Sequence, residues 1–356
     1  MTSQPAVDRL AAGPRILVSR RDNIGDLVCT TPLIAALRQR HPGGYIAALV
    51  NSYNRDVLQG NPALDEVFAY TKAKHREAGA TLLGTYAGRL RTFLELRRRR
   101  FDYAVLAAPH YQPHALRFAR AAGARHIVGF VDAPAQAGID HAVAYADGGS
   151  LHEAEDVFRL GAPLGVSGDP PPARVFAQAL ELSRVQAALG ALPAGPVVAV
   201  HISARKPSQR WPVERFAEAM RELSRALPAR FILLWAPGSA ANPLHPGDDE
   251  KAVRLEESLS GLPVLAWPSA RLAGLVAALA ASDAVLCSDG GAMHIAAALG
   301  KPIACLFGDS SPARWHPWAC PYEVLQAASR NVADVPAGQV VVAIRKLLGA
   351  GNRVSR

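Results

Sequence analysis

The chain has 356 residues, half of them hydrophobic and 19% charged, and its formal net charge is +9. That length suggests two domains, each with its own core, and the composition excludes a disordered or collagen-like chain. The positive surplus favours an acidic partner, whether anionic lipid headgroups, a phosphorylated substrate or nucleic acid. No recognised nucleic-acid motif accompanies the charge, which argues against the last.

The first 14 residues carry Asp8 and Arg9 and hold no apolar core of signal-peptide length. No uncharged apolar run approaches about 18 residues; the longest candidate, 272–288, is interrupted by Asp283. The expectation is a cytoplasmic protein with no membrane span. Cys29, Cys287, Cys305 and Cys320 form neither a Cys-x-x-Cys pair nor a zinc-spaced cluster, and read as reduced, mostly buried thiols.

In chain order, residues 15–19 read as a short apolar strand. The turn Arg20-Arg21-Asp22-Asn23-Ile24-Gly25 leads into an apolar-periodic helix over 26–39, and residues 45–50 read as a second strand. An amphipathic helix over 86–100 carries Arg89, Arg91 and the run Arg97-Arg98-Arg99-Arg100. The run suits either a solvated helix end, where cations complement the dipole, or attraction to an anionic membrane surface. Strands follow over 103–107 and 126–130, and residues 165–172 form a Gly- and Pro-rich interdomain stretch.

A second alternation then begins. Strands are expected over 196–201, 231–235, 284–287 and 303–307, and helices over 213–227, 272–281 and 292–299, with a closing helix over 335–348. Strands alternating with helices predict an α/β chain of doubly wound parallel sheets, two Rossmann-like domains facing a cleft. The boundaries are 1–172 and 173–334, with 335–356 as the closing helical segment. Ligands of such sheets sit beyond the carboxyl ends of the strands, and the chemically interesting loops all follow strands.

The strongest of these loops runs from Ser288 to Pro302. A strand enters Asp289-Gly290-Gly291 and then a helix whose first N–H groups and dipole suit an anion. Glycine lets the backbone approach a ligand closely, and His294 in the first turn reaches the same place. The segment reads as a diphosphate cradle or as an ordinary junction capped by Asp289. The second loop, His201 to Pro212, offers Ser203, Arg205, Lys206 and Arg210 just before a helix. Hydroxyls and cations stabilise charge growing on a leaving diphosphate, although a solvated surface loop has the same composition. In the third, Asp26 stands at a helix N-terminus beyond the first strand, either as a general base for a hydroxyl or as a dipole partner alone. No Gly-x-x-x-x-Gly-Lys-Ser/Thr loop exists, and no Gly-x-Gly-x-x-Gly follows the first strand, which argues against a dehydrogenase. Weaker candidates are His110, Tyr111, His114 and Arg117 after the strand over 103–107, and His152 with Glu153 at a helix start. Neither group has metal spacing.

In this order and spacing the three segments resemble glycosyltransferase family 9, which includes the heptosyltransferases of the lipopolysaccharide inner core. Ile24-Gly25-Asp26 and Thr31-Pro32 match the family's opening, and Trp211-Pro212 match the pair after its phosphate loop. Asp289 to His294, the Ala-rich helix, Leu306-Phe307-Gly308, Pro312 and Trp315 match its signature. Gly290 stands where a hydroxyl residue is usual, and Ala204 where some members carry a second one. The loop 236–242 lacks the Glu found near the nucleoside, and 243–249 looks like an insertion.

The resemblance covers residues 15–348 and implies a GT-B fold with inverting transfer and no metal or other cofactor. It implies an acceptor-binding first domain and a donor-binding second one. Asp26 would be the general base. Ser203 with Lys206 or Arg210 would contact the donor diphosphate, and Asp289, Gly290, Gly291 and His294 would cradle the donor. The implied partners are a nucleotide sugar, ADP-heptose first, and a lipid-linked or phosphorylated glycan such as the lipopolysaccharide core. Peripheral contact with the inner face of the cytoplasmic membrane fits both the acceptor and the basic charge. Gly290 and Ala204 leave open a family member using another nucleotide sugar, or a binding protein of the same fold that transfers nothing.

Overall fold

A computed structural model describes residues 13–70, 82–132, 138–145, 151–242 and 247–354. Of the expected insertion, residues 243–246 lie outside the described residues. The chain divides into two compact units, Met1–Pro171 and Pro172–Arg356.

The first unit begins with β1 (Arg15–Ser19), α1 (Ile24–Arg40), β2 (Tyr45–Asn51) and β3 (Glu66–Tyr70). It continues with α2 (Leu82–Arg99), β4 (Tyr103–Leu106), α3 (Pro113–Ala121), β5 (His126–Val131), β6 (His141–Ala144) and α4 (Glu153–Phe158). Its sheet has the order β3-β2-β1-β4-β5-β6, with parallel pairing throughout. The second unit opens with α5 (Ala179–Leu189), β7 (Val197–His201), α6 (Val213–Ala226), β8 (Arg230–Trp235), α7 (Asp249–Ser258) and β9 (Val264–Pro268). It then runs through α8 (Leu272–Ala280), β10 (Ala284–Ser288), α9 (Gly291–Ala298), β11 (Ile303–Phe307), α10 (Pro312–Trp315), β12 (Tyr322–Gln326) and α11 (Ala337–Val354). Its order, β12-β11-β10-β7-β8-β9, is again wholly parallel and repeats the topology of the first sheet.

Helices cover both faces of such a sheet, so its inner strands are unbroken apolar runs. β1, β2, β7, β10 and β11 are of this kind, and each was expected from the sequence. The strands the sequence reading did not anticipate are β3, β6, β9 and β12, the four sheet edges. Edge strands keep one side exposed and carry residues such as Glu66, His141 and Glu323, which blur the apolar signal. Strand order matters for function, because it reverses between β1 and β4 and between β7 and β10. A ligand crevice opens at such a switch point. The loops after β1 and β4 flank the first, and those after β7 and β10 flank the second.

Local chemistry explains several element boundaries. Helix α1 starts two residues before the expected position, because Asn23 and Asp26 form a capping box. Pro32 within α1 has no N–H for the Val28 carbonyl, and the Thr31 hydroxyl donates to that oxygen instead at 2.7 Å. The Thr-Pro pair is thus a self-contained repair. Helix α2 stops at Arg99 rather than Arg100, whose φ of 51° is left-handed. The closing helix begins at Ala337, since Pro336 disfavours helical backbone at Val335.

Two of the four arginines in the run 97–100 have local partners. Arg99 holds the Glu66 carboxylate at 2.8 and 3.1 Å, and Arg97 donates to the Ala121 carbonyl at 3.5 Å. Trp211 of the Trp-Pro pair is fully buried, lies edge-on to Phe216 at 4.8 Å and donates from Nε1 to the Val335 carbonyl at 3.0 Å. All four cysteines are free, and Cys29, Cys287 and Cys305 are buried. Burial pushes the half-exposed Cys320 thiol up to about 12, so it stays protonated near neutral pH. No described helix is long and apolar enough to cross a membrane.

Candidate active site

In the first unit the loop after β1 centres on Arg20, whose side chain is only 1% exposed. Its Nη2 lies 3.0 Å from Asp26 Oδ1 and 2.8 Å from Glu153 Oε1, and its Nε lies 3.1 Å from Asp22 Oδ2. Nη1 donates to the Ala107 carbonyl at the end of β4. Burial works against the guanidinium charge, but the carboxylates of Glu153, Asp26 and Asp22 outweigh it and hold the proton more firmly than usual. One cation therefore serves three carboxylates and leaves a locally negative site.

Asp26 is the carboxylate of this group that combines order with access. Its Oδ2 accepts hydrogen bonds from the Asn23 N–H and amide at 2.9 Å each, its Oδ1 faces Arg20, and it remains 13% exposed. The loop itself is pinned from the turn after β2. Asn54 donates to the Asp22 carbonyl at 3.2 Å, and Asn51 and Tyr53 donate to the carbonyls of Arg21 and Asp22.

Across the switch point, His110 follows β4 with a φ of 59°. Its ring packs 4.2 Å from Tyr145 and its Nδ1 lies 2.8 Å from Asp132 Oδ1, while the Tyr111 N–H donates to the other oxygen at 3.1 Å. His114 and Arg117, one turn into α3, pair with each other at 2.9 Å. His152 caps α4 by accepting from the Ala154 N–H at 3.0 Å. Glu153 serves Arg20 rather than the helix dipole alone, a pairing across 133 residues that no local spacing announces. No group of three or more His, Cys, Asp or Glu among the described residues could hold a metal.

In the second unit four loops meet beyond the carboxyl ends of β7, β8, β10 and β11. Helix α9 begins with Gly290 at its cap, at φ 159° and ψ −171°, a residue with no side chain to cap the first N–H groups. A Cβ at Gly290 would meet nothing within 4 Å, so the approach to those N–H groups is open. Such N–H groups carry the positive end of the helix dipole. His294, 4% exposed, sits on the first turn with its ring edge-on to Trp315 at 5.9 Å.

Asp289 does not face the cradle as a bare acid. Its Oδ2 accepts from Ser310 Oγ at 2.6 Å and from Gln209 Nε2 at 3.0 Å, so it knits the loops after β7, β10 and β11. Ser288 Oγ adds a bond to the Gln209 carbonyl at 2.7 Å. Gly308 is required where these loops touch, since a Cβ there would lie 2.5 Å from the Ser208 carbonyl oxygen. Ser203 Oγ accepts from the Ala236 N–H at 2.9 Å and keeps its own O–H to donate. Lys206 Nζ lies 3.3 Å from Asp309, and Arg210 Nε donates to the Ala204 carbonyl at 3.0 Å. Both cations stay exposed at the loop surface. Ser203, Lys206, Arg210, Asp289, Gly290, Gly291 and His294 thus belong to one set of neighbouring loops in this unit, and Asp26 to the first unit. Sequence reasoning missed the roles of Arg20, Gln209 and Ser310, and it named Glu153 only as a helix-start residue; of these, Arg20, Gln209 and Glu153 fall inside segments it singled out.

Comparison with known proteins identifies the family and the fold. Residues 89–340 match the model of glycosyltransferase family 9 (heptosyltransferase). A family 9 glycosyltransferase structure from Veillonella parvula is 19% identical, with a TM-score of 0.82 over 97% of this chain and 100% of that one. The E. coli ADP-heptose lipopolysaccharide heptosyltransferase II is 19% identical, with a TM-score of 0.74 over 95% and 99%. The E. coli heptosyltransferase WaaC with ADP is 20% identical, with a TM-score of 0.71 over 95% and 99%. A search of curated proteins gives no match. The structural likenesses establish the GT-B fold of two parallel sheets. With the family model spanning most of its length, the chain belongs to glycosyltransferase family 9 and is a heptosyltransferase-like glycosyltransferase.

Proposed function

We propose that the enzyme moves a sugar, heptose from ADP-heptose first among candidates, onto a lipopolysaccharide-core or related lipid-linked or phosphorylated glycan, with inversion and without a metal. The observation that carries this reading is the pairing of chemistries at the two switch points. One offers an ordered, accessible carboxylate, Asp26, and the other an uncapped helix N-terminus among cations. The first unit would take the acceptor and the second the donor.

In this mechanism Asp26 accepts the proton of an acceptor hydroxyl as its oxygen attacks the anomeric carbon. The bond from that carbon to the diphosphate breaks, and the electron pair leaves with the nucleoside diphosphate. Attack from the face opposite the leaving group inverts the anomeric centre. The α9 N–H groups, Lys206, Arg210 and the Ser203 hydroxyl stabilise the charge that develops on the diphosphate. Related E. coli WaaC structures hold ADP and ADP-2-deoxy-2-fluoro heptose, which supports an adenosine donor. The positive net charge fits work beside an anionic membrane surface, where a lipid-linked acceptor resides. Nucleic acid is not among the partners proposed.

A calorimetric panel of ADP, UDP and GDP against the full chain tests the donor. ADP is expected to bind, and His294→Ala to weaken it about tenfold by loosening the first turn of α9. Preferential binding of UDP or GDP would replace the adenosine donor, as the bare Gly290 position allows. Binding of none of them would leave a fold without its donor.

A further inference from the structure

Lys251 lies in the first turn of α7, directly after Asp249 and Glu250. Acids suit that position and a cation does not, because the helix dipole is positive there. The lysine turns inward nevertheless. Its Nζ donates to the Ile202 carbonyl at 2.8 Å and sits 4.9 Å over the Phe216 ring. It makes no ion pair among the described residues.

The segment it grips is the one whose hydroxyl and cations face the donor diphosphate in the proposed mechanism. Three consecutive residues there are each tethered from a different element. Ile202 is held by Lys251 of α7, Ser203 by the Ala236 N–H after β8, and the Ala204 carbonyl by Arg210. His201, at the end of β7, adds a hydrogen bond to the Ser203 backbone. A half-buried cation set against a dipole, with no carboxylate at ion-pair distance among the described residues, is unfavourable for folding. The same arrangement is favourable beside a bound anion.

We propose that Lys251 is a positioning residue of the donor site, which holds residues 202–204 in register and adds positive charge behind the diphosphate. The inference rests on the reading of these loops as the donor site. The titratable and charged groups facing Lys251 are His201 on β7, Arg210 in the β7 loop, Glu214 on α6 and Asp248 before α7. Burial pushes the lysine down to about 8, with Arg210 adding to the effect and Asp248 and Glu214 opposing it. Burial also holds the His201 ring at about 4, so it stays neutral over the range that matters. The positive charge is therefore present below about pH 8 and lost above it.

The test is calorimetric binding of ADP to the full chain at about pH 7 and about pH 9, where Lys251 changes charge. Wild-type affinity is expected to fall severalfold between the two. Lys251→Met should bind about tenfold more weakly at the lower pH and show little further loss. Lys251→Arg, charged throughout, should keep its affinity at the higher pH, which a purely structural role would not produce. Wild-type affinity in a folded Lys251→Met, or a Lys251→Arg that loses affinity with pH as the wild type does, overturns the inference. A wild type that binds no nucleoside diphosphate at either pH removes the donor-site reading itself, and with it this role.

Discussion

Asp26→Asn is expected to lower kcat by roughly 10²–10⁴-fold, the usual contribution of a positioned general base, with donor affinity nearly unchanged. The amide keeps the size of the carboxylate and can still accept from the Asn23 N–H, so the helix start survives. What disappears is the capacity to take a proton from the acceptor hydroxyl. Donor binding should persist, since the residues proposed to hold the diphosphate belong to the second unit. Steady-state kinetics with thermal melting separate these effects. Near-normal turnover in a folded Asp26→Asn protein would sink the base assignment.

Arg20→Met is expected to have the largest effect on stability, a loss of about 3–5 kcal/mol. It removes the cation shared by Asp22, Asp26 and Glu153, and Glu153 is itself only 1% exposed. A buried carboxylate left without its partner is strongly unfavourable, whereas the intact pair gains little over an apolar substitute. Removing both Arg20 and Glu153 should therefore cost less than the sum of the single losses, a positive coupling readable in a double-mutant cycle by urea denaturation. Arg20→Lys keeps the charge but cannot span three carboxylates with a planar fork, and it should fall between. Additive single and double losses would mean that the cluster is not a unit.

These two predictions also separate what was legible in the sequence from what was not. The inner strands and their following helices were legible because full burial on both faces makes each strand an apolar run, as in Ile16 to Val18 and Val197 to Val200. The edge strands β3, β6, β9 and β12 were not, because half-exposure lets charged and polar residues in. The positions of Asp26, Gly290 and His294 at strand–helix junctions were legible because each lies within a few residues of a recognisable strand end. The tie of Glu153 to Arg20 and that of Lys251 to Ile202 were not. Each residue acts on a backbone or side chain brought near by the fold, Glu153 on Arg20 far upstream and Lys251 on the Ile202 carbonyl. Asp289 was singled out, but its bonds to Gln209 and Ser310 were not legible, because both partners come from other loops. Composition left the arginine run open between a solvated helix end and an anionic membrane surface, and the contacts of Arg97 with Ala121 and of Arg99 with Glu66 were not legible because their partners lie in other elements.

The most direct test of the proposed reaction is a transfer assay with purified enzyme, ADP-heptose and a lipopolysaccharide-core acceptor, run with a metal chelator. The anomeric configuration of the product is then read by nuclear magnetic resonance. The expected product has the anomeric configuration opposite to the donor's, forms at an undiminished rate in the chelator, and forms roughly 10²–10⁴-fold more slowly with Asp26→Asn. A product that retains the donor configuration would contradict single-step attack assisted by Asp26, and transfer that stops when metal is removed would contradict stabilisation of the diphosphate by the protein's own donors alone.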